Sequence, residues 1–308
     1  MSTTFSGYSG IALLFAMAMW GSSFVAFKFA ILVYDPIVVV FGRMALALML
    51  FMCTFSMWKS TRFDKRDLWT ICFMALCEPC MYFIFEGQAL RYTTAVQAGM
   101  VASILPVLVA LAAWWLLAER LTTQTWIGLI LALGGVVWVS ISGVETETSP
   151  NPLLGNFLEF LAMSCAAGYT ISLKRLSAKY SPWFLTAMQA LIGTIFFFPL
   201  LLLPSTRLPD VVNVSAIMAV LYLGSCISVG AYGLYNYGIS KMPAWQASAF
   251  INLIPVFSLV FGWFFLGERL SMQQLCGAGV TLVGVLLTQD LITIPWLNKD
   301  EIIISVEQ

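Results

Sequence analysis

The sequence predicts an all-α integral membrane protein of ten transmembrane helices, built as two inverted five-helix repeats. Three observations lead to this fold class. Apolar and aromatic residues make up 60% of the chain, and mean hydropathy is +0.91. Charged residues make up 10%, against roughly 25% in soluble domains, so most of the exterior must face lipid. Finally, the apolar runs are long enough to span a bilayer, and the second half repeats the first.

The composition also excludes several classes of function. The 15 basic and 15 acidic residues cancel, which argues against a nucleic-acid partner. The chain has no histidine, so a His-based metal site, proton relay or catalytic triad is excluded. Its seven cysteines lie in apolar stretches and are interpreted as small buried hydrophobes. Cys77 and Cys80 have the spacing of a redox pair but lack electropositive surroundings. No metal, cofactor or enzymatic activity is expected.

Ten apolar runs of about 20 residues each are candidates for membrane spans. The first run follows no basic residue and is long enough to cross the bilayer, which indicates a retained helix rather than a cleaved signal. The predicted spans are 10–31, 37–57, 68–88, 94–117, 124–142, 155–174, 184–203, 214–238, 244–266 and 272–289. Short connections separate them, so consecutive spans should be antiparallel neighbours without a soluble domain between them.

The distribution of Lys and Arg predicts that both termini are cytoplasmic. With the N-terminus inside, ten basic residues lie in cytoplasmic segments and three in external ones. The internal set is Lys59, Arg62, Lys65, Arg66, Arg120, Lys174, Arg175, Lys179, Lys241 and Lys299, and the external set is Arg91, Arg207 and Arg269. A multi-pass protein of a bacterial inner membrane is expected, with its basic cluster facing anionic lipid.

An internal repeat is the most specific signal. When residues 95–121 are shifted by 149 positions, ten of 27 are identical, and Glu119-Arg120-Leu121 recurs as Glu268-Arg269-Leu270. A weaker echo at an offset of 146 aligns Lys28 with Lys174. Five spans is an odd number, so the second copy must enter the membrane from the opposite side. The predicted units are 1–148, 149–289 and a cytoplasmic tail, 290–308.

These motifs resemble those of the EamA type in the drug/metabolite transporter superfamily. They are Trp20-Gly21-Ser22-Ser23-Phe24 and the series Gln97, Pro106, Glu119-Arg120-Leu121, Gly128 and Gly135, repeated as Gln246, Pro255, Glu268-Arg269-Leu270, Gly277 and Gly284. The resemblance covers roughly 10–289, with Ala118 in the first copy where the second has Gly267. It implies metabolite export, for example of amino acids, through a cavity between the halves, often by proton-driven exchange. The motif residues are mainly scaffold and do not define a substrate.

Ionisable residues inside a span are the first functional candidates, because burying one costs several kcal/mol unless it is compensated. Glu78, Tyr82 and Glu86 recur at i, i+4 and i+8 on one face of span three, which we expect to line the cavity. Glu78 and Glu86 are therefore candidates for proton coupling, and Pro79 should loosen the helix beside them. Alternatively, each carboxyl ties helices together, or Glu86 pairs with Arg43 or Lys28 in an outer gate.

Span eight carries the second candidate group on one helical face, composed of Ser225, Ser228, Tyr232, Tyr235 and Asn236. A polar and aromatic stripe suits a cavity wall that binds substrate. The competing interpretation is hydrogen bonding between helices, which is common in membranes. Further cavity candidates are Trp20, Gln97, Gln246 and Asn252, although the repeat-related Gln97 and Gln246 are equally explained by a structural role.

Small residues recur in spans five and ten and predict close helix packing, and the same faces are candidates for a homodimer contact. They are Gly128, Ala132, Gly135, Gly277, Thr281 and Gly284. No nucleotide-binding P-loop occurs in the sequence. The sequence therefore predicts a secondary transporter that exports amino acids or related metabolites by alternating access. A passive facilitator or channel is the alternative, followed by a membrane enzyme or sensor.

Overall fold

The computed structural model describes residues 7–53, 64–117, 122–241, 247 and 250–288, and almost all of these residues are helical. We number the helical segments α1 to α10 in chain order. They are α1 Gly7–Ile31, α2 Pro36–Cys53, α3 Lys65–Tyr92, α4 formed by Ala95–Ala102 and Leu105–Leu117, α5 Thr123–Ile141, α6 Pro152–Leu176, α7 Pro182–Leu200, α8 Val214–Lys241, α9 Phe250–Leu266 and α10 Met272–Thr288.

The predicted all-α membrane class is confirmed, and these segments overlap the predicted spans, whose number, ten, stays a prediction. Within the described ranges, seven helices are long and apolar enough to cross a membrane, and Phe250–Leu266 and Met272–Thr288 are shorter apolar helices. Large apolar side chains cover the exterior, with Trp69 and Val212 each 85% exposed. Such a surface is unfavourable in water and suits lipid. The predicted tail 290–308 and the basic residues Lys59, Arg62, Arg120 and Lys299 lie outside the described residues.

The helices begin where the sequence supplies caps. Thr94, Asn151 and Ser181 each accept a hydrogen bond from the backbone N–H of the third residue of the following helix. Proline occupies the first turn of α6 and α7, where no intrahelical N–H bond is lost. Short capped connections make consecutive segments antiparallel.

The helix ends consequently lie at two opposite faces of the bundle, which we name for clarity. The N-terminal face is the end at which α1 begins, and it includes residues 177–181. The distal face is the opposite end, and it includes residues 32–35, 93–94, 142–151, 201–213 and 267–271. α1 begins at the N-terminal face, whereas its counterpart α6 begins at the distal face, so the two halves are inverted relative to each other.

Helices α5 and α10 pack through the predicted small residues. A Cβ atom at Gly135 would lie 2.4 Å from the backbone nitrogen of Thr281, and one at Gly284 would lie 2.3 Å from the backbone nitrogen of Ala132. The two backbones therefore touch along these positions, which only glycine permits. These small residues are buried against each other within one chain.

Two helices are irregular at repeat-related positions. In α3 a π-helical segment, Leu76–Met81, contains Glu78 in an extended conformation with φ −147° and ψ 115°. In α8 a π-helical segment spans Leu223–Ala231, which overlaps the first when the chain is shifted by 149 positions. Pro79 accounts for the break in α3. No proline occurs in α8 between Val214 and Lys241, so the sequence did not predict its irregularity.

Candidate functional site

A cavity lies between the two halves and receives side chains from both. Its lining residues include the pairs Ala102 and Ile251, Leu105 and Ile254, and Glu86 and Tyr235. The members of each pair are 149 positions apart in the sequence. Equivalent positions of the two repeats thus form opposite walls, as expected for a site on the pseudo-two-fold axis of an inverted-repeat protein.

Glu78 lies at the helix break in α3, and its side chain lines this cavity. The hydroxyl of Tyr232 donates a hydrogen bond to Glu78 Oε1. The backbone carbonyl of Glu78 accepts a hydrogen bond from Gln189 Nε2 at 3.2 Å, so a side chain of α7 satisfies one acceptor beside the break. π-helical irregularities are frequent at functional sites. This break brings a carboxyl group into a central, buried position.

Tyr82 and Glu86 continue the predicted stripe along α3, and both line the cavity. Tyr82 donates a hydrogen bond to Glu86 Oε1 at 2.9 Å. The second oxygen, Oε2, is buried and has no hydrogen-bond partner within the described part of the chain. The three predicted residues therefore share one face, and one carboxylate oxygen is available to a ligand or a proton.

Arg43 supplies positive charge to the same cavity. Its side chain is 1% exposed, its guanidinium lies 4.1 Å from the centre of the Phe83 ring, and its Nε donates to Ser228 Oγ at 3.0 Å. Within the described ranges the ion pairs are Arg91–Asp35 and Lys179–Asp67, so Arg43 is in electrostatic range of Glu86 without a direct ion pair. The cavity thus combines one guanidinium with two carboxyl groups.

Aromatic rings form most of the remaining wall. Trp20 contacts Tyr232 edge-on with ring centres 5.2 Å apart, and it contacts Tyr235 with centres 4.8 Å apart. Trp20 Nε1 is buried and has no acceptor among the residues that the structure describes. The wall therefore offers apolar surface together with an unused N–H donor.

Two predicted cavity residues, Asn236 and Ser228, lie behind this wall rather than in it. Asn236 is fully buried, accepts from Tyr169 at 2.6 Å and donates to Thr186 at 2.8 Å. Ser228 binds Arg43 and borders a smaller adjoining space. Both side chains hold cavity-lining residues in place, which is the interhelical role that the sequence left as the alternative.

Gln97 is also placed away from the cavity, in a polar cluster near the distal face. Its Oε1 accepts from Asn156 Nδ2 at 3.0 Å, and Asn156 Oδ1 accepts from Thr93 Oγ1 at 2.7 Å. Asn252 is buried in the short 3-10 turn Phe250–Leu253, beside the lining residue Ile251. Gln246 lies outside the described residues.

The expected outer gate of Lys28, Arg43 and Glu86 is not assembled as a unit. The Lys28 ammonium donates to the carbonyl of Leu90, to that of Thr93 at 2.7 Å and to that of Thr148 at 2.7 Å. It therefore closes the end of α3 at the distal face, while Arg43 and Glu86 line the cavity. A lysine is well suited to carbonyls at a helix C-terminus.

The repeat-related Lys174 makes the corresponding contact at the N-terminal face. Its ammonium donates to the carbonyl of Ile239 at 2.9 Å, near the end of α8. Leu90 and Ile239 are 149 positions apart, so the two lysines reach equivalent acceptors on opposite faces. The weak sequence similarity that aligns Lys28 with Lys174 thus corresponds to equivalent contacts in the two halves.

Glu268 joins the halves at the distal face. Its two carboxylate oxygens accept hydrogen bonds from the backbone N–H groups of Ala95 at 3.0 Å and Val96 at 2.8 Å, at the start of α4. Burial raises the pKa of the Glu268 carboxyl, while these donors and the charge of Lys28 act in the opposite direction. Its repeat-related counterpart, Glu119, lies outside the described residues.

The sequence reasoning missed the contribution of α6. Met163, Ala166, Tyr169 and Thr170 all line the cavity, and Glu159 is a fully buried carboxyl on the same helix. The rule that selected Glu78 and Glu86, an acidic residue inside a predicted span, applies equally to Glu159. Tyr169 and Thr170 had a weaker signal, because polar residues in a span often serve helix packing.

Comparison with known proteins identifies both the fold and the family of this chain. A model of the EamA-like transporter family matches residues 8–141 and 153–289, with one match in each half. The chain belongs to this family. The resemblance in its motifs is therefore confirmed, and this EamA-like transporter has the two-repeat membrane fold.

Relatives of this EamA-like transporter occur in archaea, bacteria and plants. A protein from Archaeoglobus fulgidus named "Uncharacterized transporter" is 28% identical over 279 residues, covering 90% of this chain and 96% of the relative. The uncharacterized transporter YetK of Bacillus subtilis is 27% identical over 229 residues, covering 73% of this chain and 68% of YetK. A WAT1-related chloroplastic protein of Arabidopsis thaliana is 28% identical over 280 residues, covering 87% and 66%.

A solved structure titled "Crystal structure of protein" shares the fold. It has a TM-score of 0.66 and 17% sequence identity, and the match covers 92% of this chain and 96% of the other. At this identity the likeness concerns the fold alone. The Archaeoglobus fulgidus and Bacillus subtilis relatives are named transporters, which is consistent with a protein that is not an enzyme.

Proposed function

We propose that this EamA-like transporter is a proton-coupled secondary transporter that exports an amino acid or a related small metabolite. In this proposal the substrate binds in the central cavity and is released by alternating access, and Glu78 carries the coupling proton. The protein lies in a cell membrane, the inner membrane of a bacterium, with both termini in the cytoplasm. The observation that carries the proposal is the central cavity that equivalent positions of both repeats line.

The walls of the cavity suit a small organic molecule. Ligand pockets for such molecules combine apolar surface with a few polar groups. The polar groups of this cavity include Arg43, Glu78 and Glu86. Binding an amino acid there requires the aromatic wall to move.

The charges of the cavity suit a zwitterion in particular. The guanidinium of Arg43 can bind a substrate carboxylate, and the carboxyl groups of Glu78 and Glu86 can bind an ammonium group. The rings of Trp20 and Tyr235 offer apolar surface for a side chain. An α-amino acid presents these three features within one small molecule.

Coupling to protons follows from competition for one carboxyl group. A Glu78 carboxylate binds either a proton or the ammonium group of the substrate, and it cannot hold both with full strength. Suppose that the carrier can switch the side on which its cavity opens only when Glu78 holds a proton or the substrate. Each full cycle then exchanges substrate for protons. Tyr232 already holds the Glu78 carboxyl in the cavity, so little reorganisation is needed for either occupant.

The test is uptake of a labelled amino-acid panel into proteoliposomes, with and without an imposed pH gradient. We expect saturable, gradient-driven accumulation of at least one member by the wild-type protein, and its loss in Glu78→Gln. Glu147→Gln is the matched control, because Glu147 is an exposed acidic residue on the distal face. It should transport like the wild type.

Other outcomes separate the alternatives. Gradient-independent flux that Glu78→Gln leaves unchanged would contradict proton coupling and favour a facilitator. Failure to transport any amino acid would contradict the substrate class. Gradient-driven accumulation that persists in Glu78→Gln would remove Glu78 from the coupling mechanism.

A further inference from the structure

Glu159 is a buried carboxyl that the central cavity does not use. It lies on α6, its side chain is 0% exposed, and both of its oxygens lack a hydrogen-bond partner within the described ranges. A carboxylate in such surroundings costs several kcal/mol unless it is paired or neutralised. A residue with this cost requires an explanation beyond packing.

The packing of α3 on α6 places Glu159 level with Glu86. A Cβ atom at Gly155 would lie 2.9 Å from the carbonyl oxygen of Ala89, and one at Gly168 would lie 2.9 Å from Cys77 Sγ. Because α3 and α6 are antiparallel, the positions between these two contacts pair in reverse order. Glu159, four residues after Gly155, therefore lies opposite Glu86. The two carboxyl groups also interact electrostatically. Three of their four oxygens, namely Glu86 Oε2 and both oxygens of Glu159, have no donor in the described part of the chain.

Two neighbouring buried carboxylates that receive one hydrogen bond between them, from Tyr82 to Glu86 Oε1, are not both stable as ions. The charged or titratable side chains in electrostatic range of the pair are Arg43 from α2 and Glu78 and Tyr82 from α3. Lys28 of α1, which packs against α3, is held by the carbonyls of Leu90, Thr93 and Thr148. Helices α4 and α5 also pack against α6, and they have no ionisable side chain over Ala95–Ala102, Leu105–Leu117 or Thr123–Ile141. The single guanidinium can balance one carboxylate, which leaves more buried carboxyl groups than positive charge.

We propose that Glu86 and Glu159 form a carboxyl pair that holds one proton between them at neutral pH. The pair joins the two repeats, because Glu86 belongs to the first half and Glu159 to the second. Glu159 precedes the lining residues Met163, Ala166 and Thr170 on one face of α6, at i, i+4, i+7 and i+11. It therefore extends the cavity stripe by one turn toward the distal face. The role of this carboxyl pair in transport rests on the proposed function. In that function the proton of the pair is a second proton, in addition to the one that Glu78 carries.

The experiment measures protonation directly and requires no substrate. Infrared difference spectra of the purified full-length protein in lipid vesicles, recorded across a pH series, follow the carbonyl stretch of protonated carboxyl groups. The variants are Glu159→Gln, Glu86→Gln and the double variant, and Glu147→Gln is the exposed acidic control. Glutamine keeps the shape of a protonated glutamate, and thermal unfolding verifies that each variant is folded.

In the wild type we expect the pair to take up its two protons in two separate steps, because the first proton removes the like-charge repulsion. Both single variants should lose the step at higher pH, and Glu147→Gln should retain it. Persistence of that step in either single variant would overturn the pair. A band that changes when sodium replaces choline at constant pH would also overturn it, since the occupant would then be a metal cation.

These spectra are independent of transport, so the two proposals fail separately. A shared proton found in a protein without gradient-driven uptake would support the pair and contradict the proposed coupling. Gradient-driven uptake with unchanged spectra in Glu159→Gln and Glu86→Gln would support the coupling and contradict the pair.

Discussion

At the scale of single residues, Arg43 is the group that most directly tests recognition of a substrate carboxylate. Its guanidinium is buried against Phe83, and Ser228 binds its Nε. The planar fork of arginine can bind a carboxylate through two parallel hydrogen bonds, whereas a lysine ammonium acts as a point charge. A hydrogen bond to a charged group contributes about 1.5–3 kcal/mol.

If the proposed substrate class is correct, we therefore predict that Arg43→Lys raises the KM for the amino acid roughly tenfold or more, the factor that about 1.4 kcal/mol represents. The measurement is competition in proteoliposomes between the amino acid and its decarboxylated amine. The wild type should prefer the amino acid, and Arg43→Lys should lose most of that preference. Ser228→Ala is the control, since it removes one partner of Arg43 but keeps the guanidinium. An unchanged preference in Arg43→Lys would contradict carboxylate binding at this residue.

A site residue could be predicted from sequence when its residue type is rare in membrane spans. Glu78 and Glu86 are costly in lipid, and their spacing with Tyr82 placed all three on one face, where the structure has them. Glu159 carries the same signal and was overlooked. Gln97 was different, because a glutamine can serve a cavity or a helix contact equally well. Its partner Asn156 lies 59 positions away, which no local pattern indicates.

At the scale of helices, the α5–α10 contact offers two adjacent glycines with opposite surroundings. A Cβ atom at Gly135 would lie 2.3 Å from Thr281 Oγ1, whereas one at Gly134 has nothing within 4 Å. We predict that Gly135→Ala destabilises the protein by about 1–3 kcal/mol, the usual effect of overpacking. Gly134→Ala should be neutral or stabilising by up to about 1 kcal/mol, because alanine favours the helix.

Thermal unfolding of the purified variants in lipid or detergent measures both effects. The two substitutions add the same methyl group one residue apart, so their difference isolates the contact with α10. Equal unfolding temperatures for the two variants would mean that α5 and α10 do not pack as closely as the structure shows.

The helices themselves were predictable, whereas their interior irregularities were only partly so. Apolar runs of about 20 residues indicate spans directly. Pro79 marked the loosened turn of α3, and the structure has a π-helical segment there. The equivalent segment in α8 has no such marker, because an apolar run keeps its composition whether it forms i→i+4 or i→i+5 hydrogen bonds.

At the scale of the whole molecule, the two halves are joined at both faces. At the distal face, Glu268 binds the start of α4, and Asn156 binds Gln97. At the N-terminal face, the Asp67 carboxylate of the first half accepts from Lys179 at 3.0 Å and from Tyr180 at 2.9 Å, both of the second half. The internal repeat predicted the two halves, but these contacts involve side chains that the repeat does not pair.

Alternating access requires the halves to separate at one face at a time, so weakening the contact at one face should favour opening there. We predict that Asp67→Asn makes the cavity more accessible from the N-terminal face, by up to about fivefold. Partly exposed ion pairs contribute at most about 1 kcal/mol, and that energy corresponds to about this factor.

The measurement is the rate at which an impermeant maleimide labels Ala166→Cys, a cavity position, in a variant lacking the native cysteines. Asp64→Asn is the control, because among the described residues the Asp64 side chain accepts a local hydrogen bond from Arg66 N and forms no hydrogen bond or ion pair with a side chain of the second half. Equal labelling rates in Asp67→Asn and Asp64→Asn would show that the Asp67 contact does not hold this face closed.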